Sequence, residues 1–191
     1  MNCASVMVIA GEASGDALAA QLVRELRSTP RPAGSTGSLE FFGAGGPKLA
    51  EAGVNLAVDM TAHAVIGLGD VLRSYATFRR IFKNLLKLAI ERRPDLIILV
   101  DFSGFNRRFA RAVREYIHRN GETTGGWSPR IVQFVSPQVW ASRPGRAGKM
   151  AQDIDLLLCI FPFEKDWYAR RTPNLRVEFV GHPIFDRYAG Q

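Results

Sequence analysis

The stretch Asp95–Val100, DLIILV, constrains the fold more than any other part of the chain. Its unbroken apolar run is too short for a buried helix and lacks the alternation of a strand with one wet face, so it fits a strand covered on both sides. Ser5–Ala10 (SVMVIA) has the same character. Such strands belong to parallel sheets sandwiched between helices, and helical patterns do separate the runs. Leu18, Leu22 and Leu26 share one face of a helix predicted from about Gly15 to Arg27, with Ser14 as its cap. Val71, Tyr75, Phe78, Phe82, Leu85 and Ala89 form the stripe of a helix from about Gly69 to Arg93, which Pro94 ends. A third helix is predicted over Phe105–Arg119. Further strands are predicted at Leu39–Phe42, Asn55–Asp59, Arg130–Val135, Asp155–Ile160 and Val177–Val180, with short helices ending near Ala52 and over Glu164–Arg171. Strands alternating with helices predict an α/β, Rossmann-like, mainly parallel sheet flanked by helices. A length of 191 residues predicts one domain, or a small domain with an appendage, with Ser28–Ser38 and Asn120–Pro129 as loop insertions.

Composition narrows the class. A chain with 47% hydrophobic and 23% charged residues is not disordered, collagenous or coiled-coil as a whole. No uncharged run reaches the ~18–20 residues of a transmembrane helix. Met1–Ala10 lacks a basic leader and reads as a first strand rather than a signal peptide. Cys3 and Cys159 lie in apolar runs with no metal-binding spacing, which predicts reduced core thiols in a cytosolic protein.

The net charge of +7 is unevenly spread. Arg73–Arg93 carries +6, Arg107–Arg119 +4 and Arg143–Lys149 +3, so the remainder is −6. Arg73, Arg80 and Lys87 repeat every seven residues opposite the aromatic stripe. The apolar, Gly-containing Ala64–Gly69 stretch precedes them. An apolar patch beside a basic helix suits a membrane interface or a lipid substrate; a crossover helix with one solvated face is the plainer alternative. The basic residues match no RRM, KH or helix-turn-helix pattern, so nucleic acid is not expected.

Ligands of open α/β sheets bind beyond the carboxyl ends of the strands, which selects Gly11–Asp16, Gly43–Pro47, Asp101–Asn106, Ser136–Trp140 and Phe161–Glu164. Gly11–Asp16 opens a helix and could hold an anion, although Glu12 opposes simple phosphate binding. Asp101 could act as a general base, or cap the helix that follows. His63, His118 and His182 form no nucleophile arrangement.

Seven segments in order resemble one family. They are Ala10-Gly11-Glu12-Ala13-Ser14-Gly15-Asp16; Phe42-Gly43-Ala44-Gly45-Gly46-Pro47; Val65-Ile66-Gly67-Leu68-Gly69-Asp70-Val71-Leu72; Pro94-Asp95 with Val100-Asp101 and Phe105-Asn106; Val135-Ser136-Pro137-Gln138-Val139-Trp140-Ala141; Phe161-Pro162-Phe163-Glu164-Lys165; and Gly181-His182-Pro183. Together they resemble lipid-A-disaccharide synthase. The resemblance implies the N-terminal lobe of a two-lobed GT-B fold and an inverting glycosyltransferase. It would join UDP-2,3-diacylglucosamine to 2,3-diacylglucosamine 1-phosphate, giving a β-1,6 disaccharide and UDP, at the cytoplasmic face of the inner membrane. No metal or other cofactor is expected. On this resemblance Asp101 is the catalytic base. Glu12, Ser14, Gly15, Asp16, Asn106, Ser136, Gln138 and Trp140 line the substrate site. Val65, Ile66, Leu68, Val71 and Leu72 receive acyl chains or membrane, and Arg73, Arg79 and Arg80 face lipid phosphates.

The family chain continues past the Gly-His-Pro segment into a second lobe that supplies most of the donor site. Residues 1–183 are therefore expected to form the acceptor lobe and 184–191 to begin a crossover. Turnover by these 191 residues alone is not expected. Ser142 departs from the family, which often has a second tryptophan there. A non-catalytic module for anionic lipid or a membrane surface remains the alternative from another class. A relative acting on another UDP-sugar is a third reading, which Val65–Leu72 and Ser136–Trp140 oppose.

Overall fold

The computed structural model describes residues 4–30, 37–64, 71–121, 123–183 and 185, with only the backbone at 63, 64 and 71–75. One seven-stranded sheet, parallel at every pairing, organises them. In chain order the elements are β1 (Ala4–Ala10), α1 (Ala13–Ser28), β2 (Leu39–Gly45), α2 (Pro47–Glu51), β3 (Asn55–Asp59), α3 (Thr61–Ala64), α4 (Val71–Arg92), β4 (Leu96–Val100) and α5 (Ser103–Arg119). Then follow β5 (Arg130–Phe134), α6 (Val139–Ser142), a 3₁₀ turn (Pro144–Arg146), α7 (Ala147–Asp153), β6 (Leu156–Cys159), α8 (Pro162–Arg171) and β7 (Arg176–Phe179). The strands stand in the order β3-β2-β1-β4-β5-β6-β7.

The two unbroken apolar runs become β1 and β4 at the centre of the sheet, and alternate side chains serve different cores. Val6, Val8 and Ala10 of β1 join Ile98 and Val100 of β4 under Ala19, Ala20 and Val23 of α1. Met7 and Ile9 join Ile97 and Leu99 under Ile81, Leu85 and Ala89 of α4 and Phe109 and Val113 of α5. Both faces are thus dry, which is why neither strand shows a polar alternation.

Three local readings change. Ser14 does not cap α1: the helix starts at Ala13, Glu12 is its N-cap residue, and no side chain bonds there. The strand predicted to end at Phe42 runs on to Gly45, because Gly43 lets β2 approach β1. A Cβ on Gly43 would stand 2.0 Å from the Val8 carbonyl oxygen. Between β5 and β6 the chain carries α6, the 3₁₀ turn and α7, where the sequence pattern predicts no element. The start predicted at Gly69 for the long helix, and Cys3, lie outside the described residues. No helix among the described residues is long and apolar enough to cross a membrane.

Candidate active site

The strand order reverses direction between β1 and β4. The chain leaves β1 toward β2 on one side and leaves β4 toward β5 on the other, so a crevice opens above their carboxyl ends. The Gly11–Ser14 turn and the Asp101–Phe102 turn face each other across it. Phe102 covers Gly11 so closely that a Cβ there would lie 2.2 Å from the ring, which only glycine avoids. On the α1 side, an ideal Cβ at Gly15 would be 3.6 Å from the Asp101 Cβ. The positive end of a 16-residue helix thus lies beside the crevice.

Asp101 sits in the left-handed region, with φ 50°, and Phe102 follows at 36°. Side chains there cost of order 1–3 kcal/mol and persist only where the surroundings over-determine them. Asp101 meets that condition. Its N–H donates to the Phe134 carbonyl at 2.9 Å. Its own carbonyl accepts from Asn106 Nδ2 at 2.8 Å and from Gln133 Nε2 at 3.1 Å. The backbone is clamped while the half-exposed carboxylate has no hydrogen-bond or ion-pair partner among the described residues. Nor does it cap α5, whose N-cap is Phe102 with no side-chain bond. Of the two roles open to Asp101, the helix cap is the one this geometry removes.

Around this carboxylate the expected contacts divide. Glu12 and Ser14 are exposed at the crevice, and Gly15 is buried behind them. Asp16 and Asn106, expected to line the substrate site, are buried and bonded to the surrounding backbone. Asp16 is 2% exposed and both its oxygens are occupied: they accept from the N–H groups of Gly46 at 2.7 Å, Lys48 at 3.0 Å and Leu49 at 3.2 Å. It therefore ties the β1–α1 turn to the first turn of α2. Asn106 is fully buried, and its Nδ2 is held by the carbonyls of Val100 and Asp101.

Ser136 is likewise buried, its hydroxyl within hydrogen-bond distance of Tyr168 Oη at 3.2 Å, so it too supports the site rather than lining it. Gln138 is exposed. Trp140 donates from Nε1 to Glu164 Oε1 at 3.0 Å and meets the Phe163 ring edge-on at 4.9 Å. Glu164, wholly buried, also accepts from the Phe161 N–H. It joins the ends of β5 and β6 at their carboxyl edge.

Two supporting residues had no role assigned from the sequence, although Glu164 lies in one of the segments selected there. Gln133, buried in β5, donates from Nε2 to the carbonyls of Asp101, Phe134 and Val135. A lone amide in an apolar strand was its signal. Glu164 was signalled by Pro162 and Glu164 at the first and third positions of a helix.

Burial pushes two nearby acids up: the Tyr168 phenol to about 12 and the Cys159 thiol to about 11. In the 3₁₀ turn, desolvation first and then the neighbouring Arg143 and Arg107 push the Arg146 guanidinium down. Arg79 and Arg80 are exposed on α4. Val71, Leu72 and Arg73 fall in α4, but their side chains, and all of Val65, Ile66 and Leu68, lie outside the described residues.

A family model described as lipid-A-disaccharide synthetase matches residues 6–191. The chain is 39% identical over 183 residues to a lipid-A-disaccharide synthase of Geobacter sulfurreducens, covering 95% of this chain and 42% of the relative. It is 38% identical over 186 residues to that of Myxococcus xanthus, covering 97% and 44%. It is 40% identical over 179 residues to that of Solibacter usitatus, covering 94% and 42%. The chain thus spans less than half the length of these curated relatives. A crevice at the switch point of a parallel sheet, a clamped aspartate beside it and this extent of matching sequence together make the chain a member of the lipid-A-disaccharide synthase family.

Proposed function

We propose that the chain supplies the acceptor-side half of a glycosyltransferase of lipid A biosynthesis. In this reading the 6-hydroxyl of 2,3-diacylglucosamine 1-phosphate attacks the anomeric carbon of UDP-2,3-diacylglucosamine. The new C–O bond forms as the bond to UDP breaks, with inversion to the β-1,6 disaccharide. Asp101 takes the hydroxyl proton, and UDP leaves with the bonding pair. The single observation that carries this reading is the Asp101 carboxylate: unpartnered among the described residues, half-exposed, and fixed at the switch point by three hydrogen bonds to the Asp101 backbone. A general base needs that combination of fixed position and free lone pairs. Glu12, Ser14 and Gln138 stand at the exposed rim where a sugar phosphate would lie. The donor site belongs, on this reading, to the remaining length of the relatives. The basic faces of α4 and α5 suit work at the cytoplasmic surface of the inner membrane.

The test is direct binding of 2,3-diacylglucosamine 1-phosphate and of UDP-2,3-diacylglucosamine to the 191-residue chain, in detergent below its micelle concentration. Binding of the sugar phosphate with little binding of the UDP-sugar supports an acceptor half. Tight binding of the UDP-sugar, or of neither, contradicts it.

A further inference from the structure

Helices α4 and α5 do not close on each other near the Asp101 turn. Between them lies a cavity of about 520 Å³ whose apolar wall is four phenylalanines, Phe78 and Phe82 of α4 with Phe102 and Phe105 of α5 and its N-cap. The rings touch around the gap without filling it: Phe78 and Phe102 are 6.2 Å apart, Phe102 and Phe105 5.6 Å, Phe82 and Phe105 5.4 Å between centroids. All four are half-exposed. In volume the cavity falls within the ~300–1,000 Å³ of small-ligand pockets.

Its remaining lining is equally specific. Gly104 forms part of the wall, and a Cβ built there meets no atom within 4 Å, so the wall is kept low by the absence of a side chain. Arg79 and Arg108 complete the lining, both exposed and neither in an ion pair among the described residues. Arg80 and Lys83 add two further cations with no ion pair among the described residues. The carboxylates of α4 and α5 lie further along: Glu91 beside Lys87, and Glu115 beside Arg111 and Arg119. An apolar cleft whose charged lining residues, among those described, are Arg79 and Arg108 complements a molecule with an apolar tail and an anionic head.

We propose that this cleft seats one acyl chain of a monomeric anionic lipid, with the head group between Arg79 and Arg108. The inference deepens the acceptor reading and rests on it for the ligand class. It assigns the acyl chain a seat among the phenylalanines rather than at Val65, Ile66, Leu68, Val71 and Leu72. Phe102 both lines the cleft and packs on Gly11, so a chain seated there lies against the turn that carries Asp101.

The experiment is calorimetric titration of the 191-residue chain with alkyl phosphates of increasing length, below their micelle concentrations. Alkyl glucosides serve as uncharged probes and anionic vesicles as a bilayer probe. Saturable one-site binding is expected, tightening about fourfold per added methylene and levelling off once the chain outgrows the cleft. Gly104→Leu fills the cleft from a position with free space, so the fold is retained, and it is expected to weaken binding at least tenfold. The pair Arg79→Gln with Arg108→Gln is expected to abolish the preference for phosphate over glucoside, while Lys87→Gln changes nothing. Equal binding by Gly104→Leu, no preference for phosphate in the unaltered chain, or binding to vesicles alone would each overturn the proposal. Failure of the cleft and failure of the acceptor reading separate cleanly. Alkyl phosphate binding without selective binding of the diacylglucosamine phosphate removes the reading and leaves the cleft. The reverse result leaves the reading and removes the cleft.

Discussion

Replacing Asp16 tests whether a buried carboxylate at the crevice holds the site together or touches ligand. The carboxylate receives three N–H groups, two of them, from Gly46 and Leu49, in buried surroundings. In Asp16→Ala those two donors lose a charged acceptor and have no water to replace it, while the Lys48 N–H can turn to solvent. A buried hydrogen bond to a charged group is worth about 1.5–3 kcal/mol when one partner is removed. The expected loss is therefore roughly 3–5 kcal/mol, a large part of the ~5–15 kcal/mol that holds a domain together. Asp16→Asn can keep one oxygen on Gly46 and Leu49 and set its amide against Lys48, so it loses roughly 1–2 kcal/mol. Urea unfolding followed by circular dichroism reads both. At a typical slope of ~1–3 kcal/mol per molar, Asp16→Ala lowers the midpoint by about 2 M with the slope unchanged, and Asp16→Asn falls between it and the unaltered chain. If Asp16→Ala unfolds within about 1 kcal/mol of the unaltered chain while ligand binding is lost, the carboxylate is a ligand contact and the reasoning fails.

Two further outcomes follow from the same geometry. Gly11→Ala drives a methyl group into the Phe102 ring, so it is expected to cost about 1–3 kcal/mol in urea unfolding, with Phe102→Leu restoring part of the loss; an unaffected Gly11→Ala would mean the two turns are not in contact. Stability is also expected to fall in alkali. Burial raises Cys159 and Tyr168 to about 11 and about 12 in the folded chain, above their ordinary 9.0 and 10.0, so the stability linked to each is whole below the ordinary value and lost as pH rises through the folded one. Two units on each group correspond to about 2–3 kcal/mol, so unfolding midpoints are expected to drop between pH 9 and 12, and Cys159→Ala should flatten the lower part of that slope; a flat profile would contradict the burial of both groups.

The parts of the fold that sequence made legible are those governed by apolar pattern. β1 and β4 stood out because both faces are dry, and the stripe Phe78, Phe82, Leu85 and Ala89 of α4 because it packs against the sheet. The strand-end rule located the crevice before its contacts were known. What stayed hidden depends on contacts between segments distant in sequence. Nothing in Asp16 says that it will spend both oxygens on a turn 30 residues away. Nothing in Asp101, Phe102 or Val135 announces a left-handed backbone, since glycine is the residue expected there. Asn106 and Ser136 read as ligand contacts because they lie in the matching segments, yet packing turns both inward. α7 escaped because it begins without a capping side chain and amid arginines and glycines.

The central claim is that the Asp101 carboxylate, unpartnered among the described residues, accepts the proton of the attacking hydroxyl. Asp101→Asn isolates that carboxylate, because asparagine tolerates the left-handed backbone and keeps the shape. The variant should be made in a full-length enzyme, with this chain joined to the remaining portion of the Geobacter sulfurreducens relative. The account predicts that kcat falls by about 10²–10⁴, the range of general-base catalysis, with urea stability within about 0.5 kcal/mol and acceptor KM within a few-fold of the unaltered enzyme. Turnover within about fivefold of the unaltered enzyme would contradict it and leave Asp101 without a part in the chemistry.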